Sequence, residues 1–206
     1  MSAPHGPHDG GITEFAFTPE NVERAEVTLA RYPPEWRQSA VLPLLTLAQD
    51  QVGGWLPRVA IDHVADVIGM PRIRAYEVAS FYDMYNTAPV GRIQVRVCTT
   101  TPCMLCGSGA VLDACKRVLG IGVNESTPDG RFFLREFECL GACANAPIVW
   151  IDDDYYEDLT PETITAVLEA LISGERPTPG SQADRTGSMP AGGRTTLTEH
   201  GSGDAA

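Results

Sequence analysis

The hydrophobic pattern of the chain changes near residue 90. Between residues 18 and 88, apolar residues recur three or four positions apart, as in Leu42 and Leu45, which is the spacing of a helix with one buried face. Proline and glycine divide this stretch into four predicted helices, at about 18–31, 35–51 with a kink at Pro43, 57–67 and 71–85. Residues 18–88 are therefore predicted to form a small helical bundle.

Beyond residue 90 the pattern alternates, because Ile93, Val95 and Val97 are apolar and the residues between them are polar. Such alternation predicts a strand with one buried face. Later segments predict a helix at 108–119, strands near 132–137, 148–151 and 155–156, and a last helix that begins at Thr160 and Pro161. Residues 89–173 are therefore predicted to form an α/β domain that follows the bundle.

The two ends of the chain have a different composition. Residues 1–17 are rich in glycine, proline and histidine, and we predict a flexible N-terminus there. Residues 174–206 contain almost no large apolar side chains, so they bury too little surface to offset the entropy lost on ordering. We therefore predict a disordered C-terminal tail over 174–206.

Four cysteines form two separated pairs, each placed where a predicted strand runs into a loop. Cys98 and Cys103 lie in VCTTTPC, and Cys139 and Cys143 lie in ECLGACANAP. Three interpretations compete. The two pairs can form one four-thiolate site; Cys98, Cys103 and Cys106 can form the plant-type ferredoxin pattern with a fourth cysteine; or Cys103 and Cys106 can be a redox dithiol.

The second loop favours the first interpretation. A plant-type site would use only one of Cys139 and Cys143, and a dithiol would use neither. Structural zinc remains an alternative, but zinc ribbons usually have shorter spacings than the four residues between Cys98 and Cys103. Three of those residues are threonines, whose hydroxyls can hydrogen-bond sulfur in an iron–sulfur centre. Cys115 lies in an apolar helical pattern and is predicted to be a core residue.

Charge and missing motifs exclude several functions. The formal net charge is -12 and there is no cluster of lysine or arginine, which argues against nucleic acid as a partner. No apolar run is long enough to span a bilayer, so no direct membrane insertion is expected, and no secretory signal is visible at the N-terminus. There is no dinucleotide fingerprint, P-loop or catalytic triad, and we assign no catalytic residue.

Two further features are predicted to be structural. His63 has helical spacing from Val59 and Val67 and no cluster of cysteine or carboxylate side chains at ligand spacing, which indicates packing or a surface position rather than metal binding. The acidic run that begins at Asp152 lacks the alternating spacing of a calcium loop and is predicted to be a solvated turn.

Four segments together resemble a known family. They are VCTTTPCMLCGS, ECLGACANAP, DDDYYEDLTPE and the helical stretch GGWLPRVAIDHVADVIGMPRIRAYEVASFYDMYNTAPVGR. These segments are similar to the thioredoxin-like [2Fe-2S] ferredoxin subunit, or E subunit, of bacterial NADH:quinone oxidoreductase, which is respiratory complex I. The resemblance covers about residues 12–173. Cys106 departs from it, because a residue that is not a ligand is common at that position in the family.

The resemblance implies a fold, a site and a set of partners. It implies that 89–173 is a thioredoxin-like domain and that Cys98, Cys103, Cys139 and Cys143 bind one [2Fe-2S] cluster. It implies that FMN and NADH are bound by a partner flavoprotein subunit, with which this chain exchanges single electrons. Other hydrophilic-arm subunits of complex I are implied as partners. The implied location is cytoplasmic, on the cytoplasmic side of the inner membrane and attached through those partners.

Two alternative functions come from other classes of protein. The first is the diaphorase subunit of an NAD-linked hydrogenase or formate dehydrogenase, which uses a related module. The second is a thiol oxidoreductase that uses the CMLC segment, and it requires a lowered pKa at Cys103 and a disulfide between Cys103 and Cys106.

Overall fold

The structure, a computed structural model, describes residues 10–190, 192–193 and 196. The chain divides between Arg92 and Ile93 into two compact units. Among the described residues, no helix combines the length and the apolar character that crossing a membrane would require.

The first unit is helical, as its spacing of apolar residues predicts. Thr18 begins the first helix, where its hydroxyl accepts a hydrogen bond from the backbone N–H of Asn21 at 3.3 Å. Gly53 and Gly69 end two later helices with φ angles of 99° and 68°, a left-handed backbone that favours glycine. The α-helices of this unit are α1 Pro19–Leu29, α2 Val41–Val52, α3 Arg58–Ile68 and α4 Arg72–Phe81.

The second predicted helix differs from the structure. The segment forms a 3₁₀ helix over Pro34–Ala40 and then α2, with the non-helical backbone at Trp36 rather than at Pro43. Pro43 lies in the first turn of α2, where a backbone N–H has no partner within the helix, so proline is accepted there without a kink. The core of this unit includes the fully buried side chains Leu44, Leu45, Ala48, Ala60, Val64 and Ala65.

His63 packs in this first unit, which confirms its predicted structural role. Its Nε2 accepts a hydrogen bond from the backbone N–H of Phe17 at 3.4 Å. The ring also meets Phe15 and Phe17 edge to face, with centroids 5.4 and 5.1 Å away. Phe17, the last residue of the segment predicted to be flexible, is buried. Residues 1–9 lie outside the described residues.

The second unit combines a sheet with helices. Its elements are β1 Ile93–Cys98, α5 Thr101–Leu105, α6 Ser108–Leu119, β2 Glu125–Ser126, β3 Phe132–Phe137, β4 Val149–Ile151, β5 Asp154–Glu157, α7 Pro161–Ser173 and β6 Gly180–Ser181. The order confirms the predicted α/β domain. The sequence missed α5, which is little more than one helical turn, and the strands β2 and β6, which have two residues each and therefore no periodicity to recognise.

The sheet has the strand order β2-β3-β1-β4-β5-β6. β1 and β3 are parallel, with Cys98 beside Phe137, whereas β4 runs antiparallel to β1. The alternate residues Val95 and Val97 bury against α6 and α7. Gln94 and Arg96 between them are also buried, so both faces of β1 are covered and not only the one face that the alternation predicts. Other members of this core are Val111, Leu112, Cys115, Leu134, Val149, Ile151, Ile164 and Leu168.

Residues 174–190, the first part of the tail predicted to be disordered, make defined contacts in the structure. β6 pairs in parallel with β5, and Tyr156 donates a hydrogen bond from its hydroxyl to the carbonyl of Pro177 at 3.1 Å. Polar contacts hold this segment. Disorder is predicted from the scarcity of apolar residues, and that scarcity gives no information about polar contacts. The rest of the tail lies outside the described residues except for 192–193 and 196.

Thr160 is expected to stabilise the second unit through the start of α7. Its hydroxyl accepts from the N–H of Thr163 at 3.2 Å, and the hydroxyl of Thr163 accepts from the N–H of Thr160 at 2.9 Å. Replacing Thr160 with alanine leaves the N–H of Thr163 without this partner, so we expect a loss of about 1 kcal/mol in the free energy of unfolding, measured by denaturant titration. Thr165→Ala in the same helix is the control, and an equal loss in both variants would contradict the capping role.

His63 is expected to make the stability of the first unit depend on pH. Burial lowers the pKa of His63, although Asp66 partly opposes this. The protonated form is therefore disfavoured in the folded state, and stability falls as pH drops from the unfolded pKa of about 6.5 toward the lower folded value. We expect His63→Gln to reduce the fall in unfolding temperature between about pH 7.5 and about pH 5.5. An unchanged fall would contradict this assignment.

Candidate metal centre

Both cysteine loops begin at one edge of the sheet. Cys98 is the last residue of β1, and Cys139 follows the end of β3 at Phe137 by two residues. Because β1 and β3 are parallel and Cys98 lies beside Phe137, their carboxyl ends meet at that edge. The sheet topology therefore brings the two loops together from positions about 40 residues apart in the chain.

The first cysteine pair is buried. Cys98 and Cys103 are each 1% exposed, and they pack with Ile148, Leu140 and Ala146 in a small apolar cluster. Cys103 lies on the short helix α5, which begins at Thr101 after the N-cap Thr100 and has Pro102 as its second residue. The hydroxyl of Thr100 lies 3.3 Å from the sulfur of Cys98. A threonine of the first loop therefore contacts sulfur, as the sequence led us to expect.

The second cysteine pair is exposed. Cys139 and Cys143 have their sulfur atoms 3.5 Å apart. Gly141 lies between them with a φ of 82°, and Cys143 begins a 3₁₀ turn, Cys143–Asn145. The hydroxyl of Tyr155 donates to the carbonyl of Leu140 at 3.2 Å, which ties this loop to β5. The four cysteines thus form one inner pair and one outer pair.

In each pair, hydrogen bonds favour ionisation of one thiol. At Cys98 burial opposes ionisation, but hydrogen bonds from Thr100, Cys103 and the N–H of Leu140 outweigh it and lower the pKa. At Cys139 the N–H of Gly141, followed by the thiol of Cys143, lowers the pKa. Thr100 also contributes to the lowered pKa of Cys139, so one threonine side chain favours ionisation of a thiol in each loop.

The other thiol of each pair keeps its proton. Burial, and then its hydrogen bond to Cys98, raise the pKa of Cys103 to about 12. The hydrogen bond to Cys139, followed by burial, raises the pKa of Cys143. Four negative sulfur atoms placed close together repel one another. Ionisation of all four thiols therefore requires a positive centre between them, which a metal supplies.

The arrangement in two pairs distinguishes between kinds of metal site. Within the described parts of the chain, no group of three or more His, Cys, Asp or Glu side chains is arranged to hold a metal ion. A structural zinc ion needs four ligands around one centre. In a [2Fe-2S] cluster the four ligands are shared between two irons, so two separate thiol pairs suit it. The donor set, four cysteines with N–H and hydroxyl groups directed at their sulfur atoms, fits such a cluster.

The remaining two cysteines take no part in this geometry. Cys115 is fully buried in the core between the sheet and α6, which confirms its predicted role, and burial raises its pKa to about 12. Cys106 is exposed and follows the end of α5. The thiol oxidoreductase alternative requires Cys103 to be a reactive thiolate, and its burial and raised pKa oppose that role.

The acidic run begins in the turn between β4 and β5, at Asp152 and Asp153, and continues into β5. Asp152 has a φ of 50°, and its carboxylate accepts a hydrogen bond from the N–H of Gln94 at 3.2 Å. Arg176 lies 4.0 Å from Asp152 and 3.9 Å from Asp154. Burial raises the pKa of Asp152. The turn predicted at this position is therefore present, although Asp152 itself is partly buried.

Comparison with known proteins gives consistent matches. The family model described as thioredoxin-like [2Fe-2S] ferredoxin matches residues 25–172. The E subunit of the NADH-quinone oxidoreductase of Rickettsia bellii is 56% identical over 160 residues, which is 78% of this chain and 96% of that protein. The mitochondrial NADH dehydrogenase [ubiquinone] flavoprotein 2 of Dictyostelium discoideum is 50% identical over 91% of this chain and 76% of its own length.

A solved structure shares the fold. The NAD⁺-reducing [NiFe]-hydrogenase in its air-oxidised state aligns with 64% of this chain and 23% of its own chain, with a TM-score of 0.55 and 22% identity. At that identity the likeness concerns the fold alone.

The thiol environments predict an order of chemical reactivity. In the folded, metal-free chain at about pH 7.5, we expect iodoacetamide to alkylate the exposed Cys139, whose pKa is lowered, at least ~10-fold faster than the buried Cys103. Peptide mass spectrometry at successive times measures both rates. Cys115 is the internal control for a buried thiol. If Cys103 reacted as fast as Cys139, the geometry would be contradicted and the dithiol alternative favoured.

Proposed function

The chain belongs to the thioredoxin-like [2Fe-2S] ferredoxin family, and from that membership we propose that it is the E-type electron-transfer subunit of an NADH:quinone oxidoreductase, respiratory complex I. Its relatives are subunits of oxidoreductase complexes, and this chain is likewise a subunit of such a complex rather than an enzyme by itself. The observation that carries the proposal is the convergence of an inner and an outer cysteine pair at one sheet edge.

The proposed ligands of one [2Fe-2S] cluster are Cys98, Cys103, Cys139 and Cys143. When bound, such a cluster accepts and returns one electron at a time. The chain supports the sulfur atoms with the N–H groups of Leu140 and Gly141 and with the hydroxyl of Thr100. These donors favour the thiolate forms that metal binding requires.

The exposure of the two pairs supports a role in electron exchange with a partner. The inner pair excludes water from one side of the site, whereas the outer pair reaches the surface. On α5, which carries Cys103, the apolar Leu105 is 77% exposed. A surface with exposed sulfur ligands and apolar side chains suits the close approach of another protein.

The proposed partner is the flavoprotein subunit that binds NADH and FMN. This chain has no dinucleotide fingerprint or phosphate loop of its own, so hydride chemistry is assigned to that subunit and single-electron exchange to this one. Other hydrophilic-arm subunits complete the proposed assembly, and they would attach the chain peripherally to the cytoplasmic side of the inner membrane.

The second candidate is the diaphorase subunit of an NAD-linked hydrogenase or formate dehydrogenase. The hydrogenase likeness favours it only at the level of the fold. The identity of 56% over nearly the whole of a quinone oxidoreductase subunit favours the first proposal. To separate the two candidates, the complex is purified through a tag on this chain and its substrates are tested. The first proposal predicts that quinone oxidises the complex, and the second predicts that hydrogen or formate reduces it.

The ligand set is tested by electron paramagnetic resonance. We expect the chain, purified anaerobically and reduced with dithionite, to give the rhombic signal of a one-electron-reduced [2Fe-2S] cluster at low temperature. Cys143→Ser is expected to lose or alter this signal, since it replaces a ligand, and Cys106→Ser is the matched control that should keep it. If Cys106→Ser lost the signal and Cys143→Ser kept it, the ligands would instead follow the plant-type spacing. A colourless wild-type protein containing zinc would contradict the proposal.

A further inference from the structure

A C-terminal segment beyond the family match contacts the outer cysteine loop. The family model ends at residue 172. Residues 177–189, here called the strap, continue along β5, where β6 pairs with Tyr156 and Glu157. The N–H of Gln182 donates to the carbonyl of Glu157 at 2.9 Å. The strap therefore adds an edge strand to the family domain and then continues toward the outer loop.

Arg185 of the strap is bound on three sides. Its Nη1 donates to the carboxylate of Asp158 at 2.7 Å and to the carbonyl of Ala144 at 3.1 Å. Its Nε donates to the carbonyl of Met189 at 2.9 Å. The side chains of Arg185 and Asp158 are only 15% and 11% exposed. One guanidinium thus joins the strap, the end of β5 and the residue after Cys143.

Asn145 provides a second connection to the same turn. It is 3% exposed, and its side-chain amide donates to the carboxylate of Glu157 at 2.8 Å and to the carbonyl of Gly187 at 2.8 Å. The N–H of Asp158 donates to the backbone carbonyl of Asn145 at 2.7 Å. The 3₁₀ turn Cys143–Asn145 is therefore held by β5 from one side and by the strap from the other.

The strength of these contacts follows from their burial. An exposed ion pair contributes little to stability, but removing one partner of a largely buried pair leaves a charge without compensation. Asp158 also accepts from the hydroxyl of Ser181 at 2.6 Å, so the strap meets this carboxylate at two points. Because the strap has few apolar side chains, these polar contacts decide whether it is ordered on the loop.

We propose that the strap is a positioning device for the outer cysteine loop, with Arg185 as the positioning residue that fixes the Cys143–Asn145 turn. The inference depends on the proposed function, because it concerns the cluster that Cys143 would bind. Without Arg185 the turn loosens, Cys143 departs from its binding geometry more often, and iron leaves the site faster. Groups that orient metal ligands typically change metal affinity by about 10- to 100-fold.

The test uses the full-length, cluster-loaded chain. Iron release to an excess of the chelator bathophenanthroline is followed by absorbance in wild type, Arg185→Gln and Arg176→Gln. Arg176 is the matched control, since it lies in the same C-terminal segment but is exposed and has only the long contacts to Asp152 and Asp154. We expect release to be at least ~10-fold faster in Arg185→Gln and unchanged in Arg176→Gln. The resonance line shape should broaden only in Arg185→Gln.

Two further variants separate positioning from charge. Asp158→Asn breaks the same ion pair from the other side, and asparagine accepts the φ of 53° at that residue. Positioning predicts faster release in both Asp158→Asn and Arg185→Gln. A purely electrostatic role predicts midpoint potentials that shift in opposite directions with unchanged release, and that result would overturn the inference. Arg185→Lys keeps the charge and is expected to restore slower release in part.

The outcomes distinguish the inference from the function on which it depends. If wild type gives no [2Fe-2S] signal, the proposed function fails. If wild type carries the cluster and Arg185→Gln behaves like Arg176→Gln, only the positioning role fails. Far-UV circular dichroism checks that each variant is folded, and if Arg185→Gln does not fold, Arg185→Lys and Asp158→Asn decide the same comparison.

Discussion

The parallel pairing of β1 with β3 is the contact on which the site depends. It sets Cys98 beside Phe137, so the segment that follows each strand emerges at the same edge of the sheet. The pairing is held in register by the burial of Val95 and Val97 between the sheet and the helices. A slip of one residue would turn these side chains away from the core.

The four thiols lie close together, so their negatively charged forms would repel one another, and the protein alone favours ionisation of only some of them. Hydrogen bonds from Thr100 and from backbone N–H groups favour one thiolate in each pair, and the partner thiol retains its proton. Complete ionisation requires positive charge between the pairs, which the irons of a cluster provide. The fold thus places the thiols and their hydrogen-bond donors together, with one pair in the core and the other at the surface.

Two kinds of interaction order the second unit. Apolar burial between the sheet, α6 and α7 holds the strands that deliver the cysteines. The outer loop lies beyond that core, and hydrogen bonds and a largely buried ion pair hold it instead. Polar contacts of this kind depend on geometry more than apolar ones do, so they suit a loop whose sulfur atoms must keep a defined position.

The sequence by itself determined most of the longer elements and the candidate ligands. Periodicity located the helices of four of the segments and the alternating strand, Thr18 and Thr160 marked helix starts, and the loop that contains Cys139 and Cys143 favoured two cysteine pairs over the other interpretations. Only the tertiary structure decided which pair is buried, and it alone ordered the strap. Arg185 and Ala144 are separated by 41 residues, and no local pattern records such a contact. Periodicity encodes which face a residue buries, whereas contacts between distant polar groups exist only once the chain has folded.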